Sequence, residues 1–333
     1  MRVGIVGAGI SGLAAARSLK AAGHSPVVFE KNDHVGGRCT TQQIGDYFFD
    51  PGASSFTPRG HAIENVILKE LDTSDLVKIE KPIYMHASMR PHKPSNVSSA
   101  PARYTYKKGN IVLPDLLAAN IDVRLNANVE GLDKQPSGTY KILGEEFDAV
   151  VLTPPIPQTA AILWTIQESR AFANCSFRPC LSIMLGFDKP LPETAYSALL
   201  DPEQHQPLMW LSLESVKSPN RAPEGKSALV AQMSPSYSLS NFGAEESRIL
   251  GDSLDYLTWL LGEGWDQPEV SAVKRWKYSQ PDSVALFDTV NEPGAKVIVS
   301  GDGVVAGRAE NAFDSGLKAA DFLINSASLK AAG

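Results

Sequence analysis

The sequence predicts an α/β protein: a unit built on a parallel sheet, assembled from separated stretches of chain, with a β-rich antiparallel unit inserted into it. Three observations carry this. Residues 2–30 read strand, glycine turn, helix, strand, acid. Residues 296–325 read strand, glycine-rich loop, long helix. Between them, residues 156–273 carry strands bounded by Pro and Gly, with no glycine motif of the first kind.

The N-terminal element is the most specific. Arg2 to Val6 is a short apolar run, read as a buried strand. Gly7-Ala8-Gly9-Ile10-Ser11-Gly12 is G-x-G-x-x-G, and Leu13 to Ala22 has helical composition. Val27, Val28 and Phe29 form a second strand that ends in Glu30, with Lys31 beside it. This is the dinucleotide fingerprint of a Rossmann-like sheet in its required context. Gly7 permits the tight turn, Gly9 lets the backbone approach a pyrophosphate, and Gly12 lets helix and strand pack closely. The helix N-terminus offers free N–H groups and partial positive charge to phosphates. Glu30 can accept hydrogen bonds from ribose hydroxyls. The competing reading is a glycine turn with a purely structural role.

Six positions after Glu30 come Gly36, Gly37 and Arg38. Two glycines expose backbone N–H groups, and a guanidinium can clamp phosphate in a forked geometry; the bland reading is a surface turn. E-x5-G-G-R directly after the second strand resembles the flavin-containing amine oxidases, where it extends the FAD pyrophosphate site. In those relatives a strand followed by D-x-G-A-x-x-F passes the flavin ring. Here the match is Tyr47 to Phe56, YFFDPGASSF. The resemblance puts Gly52, Ala53 and Ser54 against the cofactor and turns Phe56 toward the reacting side. A plain hairpin turn is the alternative.

His61 to Leu71 reads as an amphipathic helix and Val77 to Tyr84 as a strand. Met85 to Ala102 is aperiodic and reads as a loop, a candidate lid, with His86 and His92 taken as solvated. Arg103 to Leu132 resembles a block of bacterial renalase-like proteins, a branch of the same superfamily: strand, glycine turn, a short helix with Leu113-Pro114, then Asp122-Val-Arg-Leu-Asn126. The resemblance implies that Val129 meets the adenine edge. The chain departs from that block at Asn110-Ile111, where a methionine is usual. Tyr140 to Leu143 and Phe147 to Leu152 read as strands, the second ending in Thr153-Pro154-Pro155, which resembles a second flavin-side crossing.

In the inserted region, Leu181 to Phe187, Leu208 to Leu213 and Ala228 to Met233 read as strands and Glu245 to Leu261 as a helix. Tyr196, Trp210 and Tyr237 read first as core. Val273 to Pro281, VKRWKYSQP, resembles the renalase block in which a tryptophan lies near the flavin. That makes Trp276 and Tyr278 candidates for the ring pocket and for orienting substrate; an ordinary strand with solvated lysines is the equal alternative. At the C-terminus, Gly301-Asp302 and the helix opening at Glu310, Asn311 and Ala312 match the family's closing motif. The resemblance implies Asp302 near a ribityl hydroxyl or the phosphates and the helix N-terminus near the ring.

Composition agrees with a two-part globular chain. Of 333 residues 43% are hydrophobic and 20% charged, and a chain of this size buries roughly three quarters of its unfolded surface. Net charge is −6 with no basic block, which argues against a nucleic-acid partner. No apolar run reaches the roughly 18 residues of a membrane span, and no signal peptide is expected. Cys39, Cys175 and Cys180 lack metal spacing and are too few for a disulfide framework, so a cytoplasmic setting and no metal are expected.

The resulting expectation is an FAD-binding domain of residues 1–60, 103–155 and 274–333, and a substrate domain of residues 61–102 and 156–273. The resemblance implies non-covalent FAD, with NAD(P)H as a possible ligand class. It implies oxidation of a small-molecule donor by hydride transfer to flavin N5, with dioxygen or another acceptor as partner. An isomeric dihydronicotinamide dinucleotide is the first donor class. A small amine, electron transfer to a partner, and a non-enzymatic FAD- or NAD(P)-binding sensor are the alternatives.

Overall fold

The computed structural model describes residues 1–86, 91 and 100–331. Strand β1 (Arg2–Val6), helix α1 (Ile10–Ala21) and strand β2 (Ser25–Phe29) form the expected βαβ opening. Five parallel strands make the first sheet, in the order Val297–Val299, Ala149–Leu152, β1, β2, Asp122–Arg124. A parallel sheet covered on both faces needs apolar residues at every position, and every side chain of Ala149–Leu152 and Val297–Val299 is buried. One face is covered by α1 and the C-terminal helix Ala309–Ala331, which pack against each other. The other face carries a small antiparallel sheet that includes Tyr140–Ile142 and Glu145–Phe147. There Phe147 meets Phe29 edge to face, with centroids 5.7 Å apart.

The second sheet has six strands, in the order Val270–Ser283, Ser176–Phe187, Ser227–Met233, Leu208–Leu213, Ala198–Leu200, Ile83–Met85. It is antiparallel except at its last pair. Side-chain alternation gives its two faces different jobs. Leu181, Ile183, Leu185 and Phe187 join Ile249 and Leu257 of the helix Glu246–Leu261 in one core. The alternate residues Met184 and Gly186 face the first unit. Met184 packs with Tyr47 and Phe49, and a methyl group on Gly186 would lie 2.9 Å from the Tyr47 ring.

Several elements differ from expectation. The stretch read as one strand, Val77 to Tyr84, is two strands in different sheets, Leu76–Ile79 and Ile83–Met85, interrupted at Pro82. The helix read at His61 to Leu71 is Ile63–Asn65 continuing as a π-turn over Val66–Glu70. His86 is not solvated: it is fully buried, its backbone N–H donates to the Leu200 carbonyl, and its ring lies edge-on to Tyr256. His92 and most of the candidate lid lie outside the described residues.

A cleft between the two sheets as candidate active site

A cleft of ≈ 1180 Å³ runs between the carboxyl ends of the parallel strands and the inner face of the second sheet. Small-ligand pockets occupy roughly 300–1,000 Å³, so this one suits an extended ligand. Its location follows the rule for open α/β sheets, where ligands bind beyond the strand ends.

The fingerprint builds one end. Gly9, Ile10 and Ser11, at the first turn of α1, line the cleft, where helical N–H groups lack intrahelical partners. A methyl group built on Gly12 would lie 2.0 Å from the Gly7 carbonyl oxygen, so glycine is required there for packing. On Gly9 it would meet nothing within 4 Å: that position faces open cleft. Glu30 also lines the cleft, 5% exposed. One carboxylate oxygen accepts the Ala8 N–H at 2.9 Å, the other the Asn32 N–H and side-chain amide at 3.0 and 2.7 Å. Backbone bonds from Asn126 and Ala127 to Asn32 and Glu30 carry the chain past this carboxylate, which brings Val129 to the cleft wall. Lys31, Gly36 and Gly37 line the same end. Thr153 lines it too, held by its hydroxyl to the Val6 carbonyl at 2.8 Å.

The middle of the cleft passes Pro51, Gly52 and Ala53. Side-chain donors hold every carbonyl of this segment. Trp276 Nε1 donates to Pro51 at 3.0 Å, and Gln232 donates to Pro51 and Gly52 at 3.1 and 2.9 Å. Asn110 donates to Ala53 at 2.8 Å, and Lys217 to Ser54 at 2.7 Å. Asp50, immediately before, is fully buried against Arg221 and Lys217, at 2.6 and 3.4 Å. Burial alone would raise its pKa, but the two cations outweigh it and hold the carboxyl below its usual value.

The two chain ends meet here as well. Ser11 Oγ lies 2.8 Å from Ser300 Oγ, which lies 2.9 Å from Ser315 Oγ, and Ser315 accepts the Gly301 N–H at 3.1 Å. Gly301, Asp302, Ala309 and Ala312 line the cleft, so the C-terminal helix begins at its wall.

Some expected site residues stand elsewhere. Phe56 is a core side chain, fully buried. Its backbone pairs with Tyr104 in both directions at 2.8 Å, and its ring lies edge-on to Tyr106. It does not face reactants. Ala8, Gly12, Ser54 and Asn311 are behind the lining. Glu310, 2% exposed, is turned away from the cleft to cap the Thr57 N–H. Trp276 and Tyr278 do line it. Sequence reading passed over Gln232, Arg178, Lys274 and Lys277, which share that wall. Gln232 had a signal, as the one polar residue in the run ALVAQM.

Burial pushes the thiol of Cys180, on the same wall, up to about 11, and that of Cys39 well above its usual range. Neither is a ready nucleophile. Among the described residues no cluster of His, Cys, Asp and Glu is placed to hold a metal.

The profile of the family described as "Flavin containing amine oxidoreductase" matches residues 83–324, well over half of the chain. The chain belongs to that family. A profile described as "NAD(P)-binding Rossmann-like domain" matches residues 5–71. Among curated relatives, a 1-hydroxycarotenoid 3,4-desaturase of Flavobacterium sp. (strain P99-3) is 53% identical over 53 residues, 16% of this chain and 11% of the desaturase. A 4,4'-diapophytoene desaturase of Staphylococcus haemolyticus (strain JCSC1435) is 48% identical over 52 residues, 16% of this chain and 10% of that protein. The match thus spans about a tenth of the length of these relatives. Over whole chains the fold resembles cyclohexylamine oxidase from Brevibacterium oxydans IH-35A, with TM-score 0.71 and 15% identity, covering 99% of both chains. It also resembles reduced UDP-galactopyranose mutase, with TM-score 0.76 and 13% identity, covering 97% of this chain and 95% of that one.

The chain therefore has the mixed α/β fold of a flavin-containing amine oxidoreductase, and its residues fit a flavin cofactor. The open face at Gly9 is a cradle that any side chain would fill. Two helix N-termini reach the cleft wall, and both favour anions and developing negative charge. No helix among the described residues is long and apolar enough to cross a membrane.

Proposed function

We propose that the chain is a renalase-like oxidoreductase acting on an uncharged, electron-rich donor group, with isomeric dihydronicotinamide dinucleotides as the first donor class. The observation that carries this is the charge of the donor-side wall. The strands Ser176–Phe187 and Val270–Ser283 present Arg178, Lys274 and Lys277 to the cleft; Arg178 is paired with Asp282 at 3.0 Å, the two lysines are the cations that set the charge of this wall, and no carboxylate of these two strands lines the cleft. A protonated amine would meet like charge there; a neutral dihydropyridine would not, and its phosphates would be attracted.

In this reading residues 1–60, 103–155 and 274–333 hold FAD non-covalently, and residues 61–102 and 156–273 shape the donor side, in a cytoplasmic setting. Glu30 takes the ribose hydroxyls, the first turn of α1 the pyrophosphate, and Val129 the adenine edge. Asp302 and the C-terminal helix serve the ring end. When bound, the flavin supplies a two-electron acceptor for a substrate C–H. The chain's part is placement. Trp276 and Gln232 fix the Pro51–Gly52 backbone, Tyr278 orients the donor, and the helix N-terminus stabilises charge at the ring end. A dihydropyridine carries no proton that must leave before it is oxidised, so no general base is required.

Anaerobic mixing of the yellow holoprotein with candidate donors tests this. Rapid bleaching by isomeric dihydronicotinamide dinucleotides, at least 100-fold faster than by small primary amines at equal concentration, is the expected result. The reverse order refutes the assignment.

A further inference from the structure

Arg38 joins three of the segments that bound the cleft. Its carbonyl accepts the Ala53 N–H at 3.0 Å, which sets the crossing segment. Its guanidinium grips Asp302 through both terminal nitrogens, at 2.6 and 2.7 Å. The same Nη1 donates to the Ser279 carbonyl at 3.0 Å, on the strand that carries Trp276 and Tyr278. A guanidinium has five N–H groups. These bonds commit three of them to protein oxygens, and Arg38 itself lines the cleft.

Asp302 makes this arrangement consequential. Its side chain is only 8% exposed and lies on the cleft wall, beside the N-terminus of the C-terminal helix. A bare carboxylate there would repel a pyrophosphate and cancel part of the positive potential that the helix N-terminus offers it, in surroundings too dry to screen the charge. The bidentate partner cancels that charge.

The geometry points to Arg38 and Asp302 acting as one unit. Arg38 is a positioning residue that neutralises Asp302 and locks the Trp276 strand to the C-terminal loop, and FAD affinity depends on the pair more than on a free arginine reaching for phosphate. This rests on the assignment of the cleft to FAD. It differs from two independent cofactor contacts, in which each residue contributes separately.

A double-mutant cycle on FAD binding to the apoprotein, read by flavin fluorescence, separates the two. Arg38→Met strands the carboxylate and should weaken FAD binding on the order of 100-fold. Adding Asp302→Asn to that variant should recover roughly tenfold or more, because the stranded charge is gone. A double variant as weak as Arg38→Met, or weaker, overturns the proposal. If Arg38→Met does not fold, Arg38→Gln with and without Asp302→Asn is read in the same way. Failure of the unaltered chain to take up FAD would instead sink the cofactor assignment on which the proposal rests.

Discussion

Replacing Arg221 with methionine should cost about 3–5 kcal/mol of folding stability, the largest loss expected from any single exchange of a charged side chain here. Arg221, Asp50 and Glu214 have fully buried side chains, and that of Lys217 is 2% exposed. The four charges sum to zero. Arg221 lies 2.6 Å from Asp50 and 3.4 Å from Glu214; Lys217 lies 3.4 Å from Asp50 and 2.8 Å from Glu214. Removing the guanidinium leaves a net negative charge in a dry site, which is the costly case, whereas exchanging all four for apolar residues need not be. The urea midpoint of the purified variant measures the loss. The pH dependence has a definite sign. In the native chain the Asp50 pKa is depressed, so its contribution is present above the unfolded carboxyl value of about 4 and is lost as pH falls through the folded value. Without Arg221 that depression goes, acid relieves the stranded charge, and the stability gap should narrow as pH falls. A gap that is constant from neutral pH to about 4 would contradict this account.

Gly9→Val should abolish practical FAD retention while leaving the fold intact. The Gly9 backbone sits at φ −74°, ψ 177°, extended geometry open to any residue, and a Cβ there touches nothing. Folding stability should therefore stay within about 1 kcal/mol of the unaltered chain. The valine methyls would occupy the space through which a pyrophosphate approaches the backbone. Affinity should fall on the order of 1,000-fold, about 4 kcal/mol. Circular dichroism and urea unfolding check the first half, and FAD titration the second. A valine chain that binds FAD normally would show that the phosphates do not pass here.

What the sequence made legible is what short-range chemistry encodes. The glycine spacing, the acid that ends β2 and the closing Gly301-Asp302 stretch each sit in one local element, so the parallel sheet and one end of the cleft could be read directly. Contacts between distant segments could not. Asp50 and Arg221 are separated by 171 positions and nothing local marks them as partners. Arg38 and Asp302 each read as a ligand-facing residue, and only the folded chain shows them facing each other. Phe56 was misread for a related reason. A motif fixes where the backbone passes, but the pairing with Tyr104 decides which way the side chain turns. His86, placed in an aperiodic loop, is buried because the short strand before it adds to the edge of the second sheet.

The cofactor content of the purified chain tests the central claim most directly. The joined ends should give a yellow protein that releases one equivalent of FAD on denaturation, or an apoprotein that takes up one equivalent from solution and turns yellow. A correctly folded chain that is colourless as isolated, and stays colourless after incubation with FAD, would contradict it.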